Sequence, residues 1–222
     1  MKLSIIIPVY NEEKYIVHVV NEVKKLNIPK EIIIVDDAST DNSRKIISGL
    51  KGIHKIFHTK NRGKGAAIAS ALKFATGDYI IMQDADLEYR PSDIISLVDK
   101  AITEKADAVY GSRFLKKHKP RYVLNYLGNK LINIFITLFF NSKITDAETC
   151  YKLVRKTVVN QLNIRAKRFD FEIEITTKLL KRGYKIFEVP IRYKCRSYKA
   201  GKKIRWTDGV IALAKIFYYR FS

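Results

Sequence analysis

Cysteine is nearly absent: Cys150 and Cys195 are the only two among 222 residues, and neither has a companion at metal-ligand spacing. That excludes a thiolate metal centre and fits a reducing, cytoplasmic compartment. Acidic residues are also scarce, 22 against 42 lysines and arginines, for a net charge of +20. Such an excess calls for a polyanionic partner: nucleic acid, an anionic membrane surface or phosphorylated small molecules. Composition alone does not choose among them. Long apolar runs are missing too. The opening "LSIIIPVY" is too short for a secretory leader and passes straight into "NEEKY". "LINIFITLFF" (131–140) is about half of the roughly 20 residues that a spanning helix needs, and upstream extension meets Asn125, Asn129 and Lys130. A spanning helix is therefore not expected. No internal repeat, low-complexity segment or clear linker occurs, so one domain is expected over 1–222, a length that buries a full core.

What the first half does contain is alternation. Apolar, β-rich runs at 3–9, 31–35, 53–57, 79–82 and 108–110 are separated by helical patterns at 12–26, 41–50, 66–75 and 91–104. Short, continuously apolar strands between helices predict an α/β fold whose mostly parallel sheet is covered on both faces. Gly77 is read as ending one helix and Pro91 as starting another. The second half is less regular. It offers an apolar helix at 122–140 with Lys116, Lys117, Lys119, Arg121 and Lys130 nearby, and a helix at 170–182 stopped by Gly183. A strand "YKIFEVPI" (184–191), the basic loop "RYKCRSYKAGKKIRW" (192–206) and a last helix at 207–220 close the chain.

In an open parallel sheet, ligands bind at the strand ends near a switch in strand order. Three runs deliver acidic groups there: "PVYNE" ends in Glu12, the second run in Asp36-Asp37, and the fourth in Asp84-Ala85-Asp86, with Glu88 just beyond. Converging carboxylates repel unless a cation or an ordered hydrogen-bond network compensates, and Mg²⁺ or Mn²⁺ favours such oxygens while bridging phosphates. Polar strand ends and helix caps produce the same pattern with no site at all. "DDASTDNS" likewise reads as a turn with caps at Ser39, Thr40 or Asp41, or as an acceptor for a base or ribose. "NRGKGAAI" (61–68) puts Lys64 between glycines at a helix start, which suits phosphate held by backbone amides, but lacks the spacing of a P-loop. His54 and His58, in a strand, stand roughly 13 Å apart, too far to share one ion.

Taken together, the pieces resemble a family-2 glycosyltransferase with a GT-A fold. The matching stretches are "IIIPVYNEE" (5–13), "VDDASTDNS" (35–43), "NRGKGAAI", "QDADLEY" (83–89), "GSRF" (111–114), "TDAETCYKLVR" (145–155) and "EVPIRY" (188–193). They run in order over nearly the whole chain and look most like the dolichol-phosphate mannose synthase-like and polyprenyl-phosphate branch. The resemblance implies a nucleotide-binding half (1–112), an acceptor half (113–205) and a C-terminal helix (206–222). It implies that Pro8, Tyr10, Glu12, Val35 and Asp37 line a nucleoside pocket. Asp84 and Asp86 would hold metal and diphosphate, with Ala85 against the nucleotide and Glu88 beside the metal. Lys64, Arg113, Arg196 and Lys202 or Lys203 would neutralise phosphate.

The implied chemistry is inverting, metal-dependent transfer of a hexose, mannose or glucose, from a GDP- or UDP-sugar to a polyprenyl or dolichyl phosphate. A lipid phosphate oxygen is already anionic; a hydroxyl acceptor, as in cell-surface glycan synthesis, would need a base, for which Asp146, Asp170 and Glu172 are candidates. Asp170 and Glu172 equally suit helix-start carboxylates favoured by the dipole. Within this reading the excess charge and the apolar helix fit a peripheral site on the anionic inner membrane face, through the helix itself or a membrane partner protein. The same helix would also serve as plain core. A sugar-1-phosphate nucleotidyltransferase is disfavoured because "PVYNEEKY" has no glycine-rich loop. A nucleic-acid partner is not expected, since clustered carboxylates without metal would repel it.

Overall fold

The protein was analysed as a computed structural model that describes residues 1–116, 120–168, 170–197 and 206–221. The Ile/Val-rich runs form strands because β-branched side chains pack well on a pleated surface, and they show no alternation because both faces are covered. The central strand β1 (Leu3–Val9) pairs in parallel with β2 (Lys30–Asp36) on one side and β4 (Tyr79–Met82) on the other, and β3 (His54–Phe57) extends the sheet beyond β2. At the far end β5 (Ala108–Ser112) and β7 (Ile186–Pro190) form a parallel pair. Between β4 and β5 lies β6 (Lys152–Arg155), antiparallel to both, giving the order β3-β2-β1-β4-β6-β5-β7. Every strand but β6 therefore points the same way, and their C-terminal ends share one edge.

The helices cover both faces: α1 (Ile16–Lys24), α2 (Ser43–Gly49), α3 (Lys64–Leu72), α4 (Ile94–Thr103, entered through a 3₁₀ turn at Pro91–Asp93), α5 (Val123–Phe140), α6 (Lys156–Gln161), α7 (Phe171–Lys181) and α8 (Trp206–Phe221). The main core packs α1 to α4, α6 and α7 against the sheet across both halves of the chain. A second apolar cluster joins Ile132 and Ile136 of α5 to Ile173 of α7 and Ala212 and Ile216 of α8.

Three local expectations change. The first helix starts at Ile16 rather than at residue 12, because Asn11 takes a left-handed φ of 53° and the Glu12 amide donates to Ser43 Oγ at 2.8 Å. Gly77 does not end a helix. Helix α3 stops at Leu72, and Gly77 enters β4 pressed against β1, where a Cβ would stand 2.6 Å from the Ser4 nitrogen. The strand β6 and helix α6 are additions to the expected elements. A lysine in the strand hides the apolar signal, yet Lys152 is fully buried because its ammonium reaches the carbonyls of Ala147 (2.9 Å) and Thr149 and the carboxylate of Glu172 (2.9 Å). Helix α5 also runs unbroken through Lys130. At 18 residues and mean hydropathy 1.4 it is long and apolar enough to cross a membrane by length and composition alone.

Candidate active site

The chain leaves β1, crosses to β2 and β3, then returns to β4 on the other side of β1, so the switch point falls between the ends of β1 and β4. A cleft of about 970 Å³ opens there, and Pro8, Tyr10, Glu12, Asp37, Lys64, Asp84, Ala85, Asp86, Glu88, Arg113, Asp170, Glu172 and Arg196 all line it. Most residues expected from the sequence are thus brought together. Val35 is not among them: it is fully buried in the core, paired in register with Pro8, and the chain reaches the cleft only at Asp37, one residue past β2. Lys202 and Lys203, with Lys117, Lys119 and Tyr198, lie outside the described residues.

At the end of β4, Asp84 Oδ1 is 2.8 Å from Lys64 Nζ, and Asp86 Oδ2 is 2.9 Å from Arg196 Nη2. Burial raises the Asp84 pKa, but the Lys64 ammonium more than reverses this and holds it below the usual carboxylate range. Asp86 goes the other way. Burial, then the negative charges of Asp84 and Glu88, push it up to about 7, so the turn carries more negative charge than its two cations offset. Among the described residues no three carboxylate, histidine or cysteine side chains form a self-sufficient metal cage. Two carboxylates on the cleft wall nonetheless suit a hard divalent cation, which would complete its shell from phosphate oxygens and water. Glu88 is committed elsewhere: its oxygens accept from Tyr193 Oη (2.7 Å) and the Arg196 amide (2.6 Å).

The loop before α3 works differently from the expected amide cradle. Asp37 accepts from the amides of Arg62 (2.9 Å) and Gly63 (2.7 Å), and its Oδ1 lies 2.7 Å from His58 Nδ1. The Ala66 amide donates to the Lys167 carbonyl. These three amides are taken by the protein, and the Lys64 side chain adds a cation to the cleft wall. Gly63, at φ +91°, cannot be replaced without a clash, since a Cβ there would lie 2.3 Å from the Lys167 oxygen. His58, excluded as a metal partner of His54, instead bridges Asp37 and Ser70 Oγ (2.9 Å).

On the opposite wall, Arg113 is locked by Asp146, with Nε–Oδ2 and Nη2–Oδ1 both 2.7 Å and its amide also bonded to Oδ2. Asp146 is fully buried and does not line the cleft, which removes it as a base candidate and makes it the group that aims Arg113. Glu172, in the first turn of α7, meets Lys64 Nζ at 3.0 Å and Lys152 Nζ at 2.9 Å, one oxygen each. Asp170 accepts from the Arg168 amide (3.1 Å) and lies 3.8 Å from Lys215 Nζ. Two residues of the site carry no role in the sequence reading, Lys152 and Glu148, while Tyr193, read there as an aromatic supporting the substrate loops, holds Glu88. Glu148 also lines the cleft, inside a stretch whose signal lies in the motif as a whole.

Beyond the charged residues the cleft changes character. Leu124, Leu131 and Ile132 of α5 and Val210 and Leu213 of α8 form its other end. The outward face of α5 continues from there as Leu124, Leu127, Leu131, Ile134 and Leu138, all exposed.

Comparison with known proteins places this geometry. Residues 4–162 match the profile of Glycosyl transferase family 2. A UDP-N-acetylglucosamine–dolichyl-phosphate N-acetylglucosaminyltransferase of Methanococcus voltae is 32% identical, covering 97% of this chain and 93% of its own. A dolichol-phosphate mannosyltransferase of Pyrococcus furiosus is also 32% identical over 89% of this chain, which spans 58% of that protein. In structure, glucosyl-3-phosphoglycerate synthase of Mycobacterium tuberculosis, solved with Mn²⁺, UDP and phosphoglyceric acid, superposes with a TM-score of 0.78 over 99% of this chain and 78% of its own, at 16% identity. That likeness is one of fold, the GT-A type.

Proposed function

The chain belongs to glycosyl transferase family 2, and from that premise we propose that it moves a hexose from a UDP- or GDP-sugar to a polyprenyl or dolichyl phosphate at the cytoplasmic membrane face. The observation that carries this reading is the cleft itself, charged where strand ends meet and apolar where α5 and α8 meet. A ligand that is anionic at one end and aliphatic at the other fits it.

In this reading the nucleoside lies against Pro8, Tyr10, Glu12 and Asp37, and the diphosphate reaches the Asp84–Asp86 turn. Mg²⁺ or Mn²⁺ held by Asp84 and Asp86 would supply Lewis-acid neutralisation of the leaving diphosphate. Lys64 and Arg196, already beside those carboxylates, add fixed positive charge, and Arg113 waits across the cleft in a fixed orientation. An oxygen of the acceptor phosphate attacks the anomeric carbon, the bond to the diphosphate breaks, and its electron pair leaves with the nucleoside diphosphate, inverting the configuration. No base is required, because the attacking oxygen is already anionic. That suits Glu172, whose two oxygens are each engaged by a lysine.

The deciding experiment incubates the protein with membranes and labelled UDP- and GDP-sugars, with Mg²⁺, Mn²⁺ or EDTA. The expected result is label in the lipid extract that EDTA abolishes. Label confined to water-soluble hydroxyl acceptors, or transfer indifferent to EDTA, would overturn the proposal.

A further inference from the structure

We propose that Glu148 reads the hydroxyl groups of the transferred sugar, setting donor choice. This inference rests on the nucleotide-sugar reading above. Its starting point is a missing partner. The carboxylates around it in the cleft are compensated: Asp84 by Lys64, Asp86 and Glu12 by Arg196, Glu88 by Tyr193 and the Arg196 amide, Glu172 by two lysines. Glu148 makes no hydrogen bond or ion pair among the described residues, and its Oε1 is buried without one. Native proteins seldom leave a buried polar atom unsatisfied, and when they do at a cleft wall a ligand is the natural partner.

Its position says which part of a ligand it meets. Along the sheet edge the order is Asp37 after β2, Tyr10 and Glu12 after β1, Asp84 and Asp86 after β4, and then the segment entering β6, where Glu148 stands. A nucleotide sugar is a linear molecule of base, ribose, diphosphate and hexose. With its nucleoside at β1–β2 and its diphosphate at β4, the hexose falls beside β6. The contacts run the same way: Lys64 joins Asp84 to Glu172, Lys152 joins Glu172 to the carbonyls of Ala147 and Thr149, and Glu148 lies between those two residues.

The chemistry selects the hexose again. A diphosphate offers only acceptors and negative charge, so a carboxyl group is a poor match for it. Sugar hydroxyls both donate and accept, and a carboxyl group in either protonation state can bond them. Burial pushes the Glu148 carboxyl up to about 7, with Lys152 opposing, Glu172 adding, Arg113 opposing and Asp146 adding. Both forms are then present near neutrality. A buried group built to bond a particular hydroxyl discriminates strongly against a sugar that lacks it, because the group is left unpaired.

The test needs no turnover. Calorimetry on the full chain would compare UDP with UDP-glucose and UDP-N-acetylglucosamine, and GDP with GDP-mannose, for wild type, Glu148→Gln and Glu148→Ala. The sugar nucleotide that wild type prefers should bind Glu148→Ala about tenfold more weakly, the scale of one lost buried hydrogen bond, while the bare nucleoside diphosphate keeps its affinity and reports an intact fold. Glu148→Gln should recover part of the loss, and preference among the sugars should flatten. An equal loss for diphosphate and sugar nucleotide would overturn the assignment. So would unchanged binding of both with transfer abolished, which would put Glu148 on the acceptor side. Failure of wild type to bind any of these nucleotides would sink the nucleotide-sugar reading itself.

Discussion

Arg196 donates two hydrogen bonds to Glu12, Nη1–Oε2 at 2.9 Å and Nη2–Oε1 at 3.0 Å, between residues 184 apart in sequence. The same guanidinium meets Asp86, and its own amide holds Glu88, so the segment after β7 is strapped over the strand ends of β1 and β4. A bridge between Tyr89 and Tyr193 and the bond from the Lys194 amide to the Glu88 carbonyl (2.9 Å) complete the strap. Arg196→Gln should raise KM for the sugar nucleotide at least about tenfold, since it removes a charge at the diphosphate together with the ion pairs to Glu12 and Asp86. Steady-state kinetics that show an unchanged KM would refute this role.

Asp84 and Asp86 make a separate prediction. Asp86→Asn should weaken Mn²⁺ binding in the presence of UDP, followed by the Mn²⁺ electron-spin signal, and lower kcat/KM at least about a hundredfold. Asp84→Asn should do the same and in addition remove one of the two ion pairs of Lys64, leaving the one to Glu172. Full Mn²⁺ affinity in both variants would move the metal away from this turn.

Much of this arrangement was legible in the sequence, for a physical reason. Buried parallel strands are short runs of Ile and Val, so β1, β2 and β4 announce themselves, whereas the Asp84–Asp86 turn, which a polar strand end would also explain, stands out only beside the acidic ends of the other strands and the ordered motifs. What stayed hidden depends on contacts distant in sequence. Lys152 reads as a surface residue, because the Glu172 carboxylate that lets it sit in a strand lies in another element. Asp146 reads as a base candidate, and only the fold shows Arg113 occupying both its oxygens. Glu148 reads as one letter of a motif, and what singles it out among the described residues is that its buried Oε1 has no hydrogen bond and, unlike Glu172, no lysine beside it at ion-pair distance.

Glu172 separates a base from an electrostatic anchor. Its side chain is almost wholly buried between Lys64 and Lys152, so Glu172→Ala should cost about 3–5 kcal/mol by leaving a buried ammonium uncompensated. Chemical denaturation measures that loss. The pH profile of kcat for Glu172→Gln should keep the wild-type shape. Loss of one limb of the profile would make Glu172 the base for a hydroxyl acceptor.

Far from the cleft, Glu31 ties the other end of the sheet together. It accepts from Ser4 Oγ (2.6 Å), Lys2 Nζ (2.9 Å) and the amide and hydroxyl of Thr76 (2.5 and 2.6 Å). Burial alone would raise its pKa, but the bonds from Lys2, Ser4 and Thr76 prevail and lower it to about 2. A folded-state pKa below the unfolded value stabilises the fold above the unfolded pKa, near 4.5, and the benefit disappears as pH falls toward 2. Glu31→Gln should therefore be less stable than wild type by about 2–3 kcal/mol at neutral pH and converge with it near pH 2. Urea midpoints measured across that range give the difference directly, and a constant gap would refute the linkage.

The outward face of α5 is where the lipid reading is most exposed to failure. Leu124, Leu127, Leu131, Ile134 and Leu138 recur at alternating steps of three and four, and Lys130 and Thr137 are polar residues beside them on the exposed arc. The opposite face, Ile132 and Ile136, is packed on α7 and α8, so the helix is fixed to the domain and presents its aliphatic side outward. A groove between α7 and α8 adds cations: Arg165, Lys167, Arg168 and Arg182 line it, next to the exposed Ile211 and Tyr218. An aliphatic strip together with a basic groove matches the boundary between acyl chains and anionic headgroups. The protein should therefore sediment with vesicles containing phosphatidylglycerol far more than with neutral phosphatidylcholine, and added salt should weaken the binding. A double substitution on the strip is the sharper test. Leu127 and Leu131 are exposed and lie outside the core clusters, so Leu127→Glu/Leu131→Glu should abolish sedimentation while the thermal midpoint stays near wild type. If instead that variant sediments normally but a wild-type dimer in gel filtration becomes a monomer, the strip is a seam between two copies, as its heptad spacing would also allow.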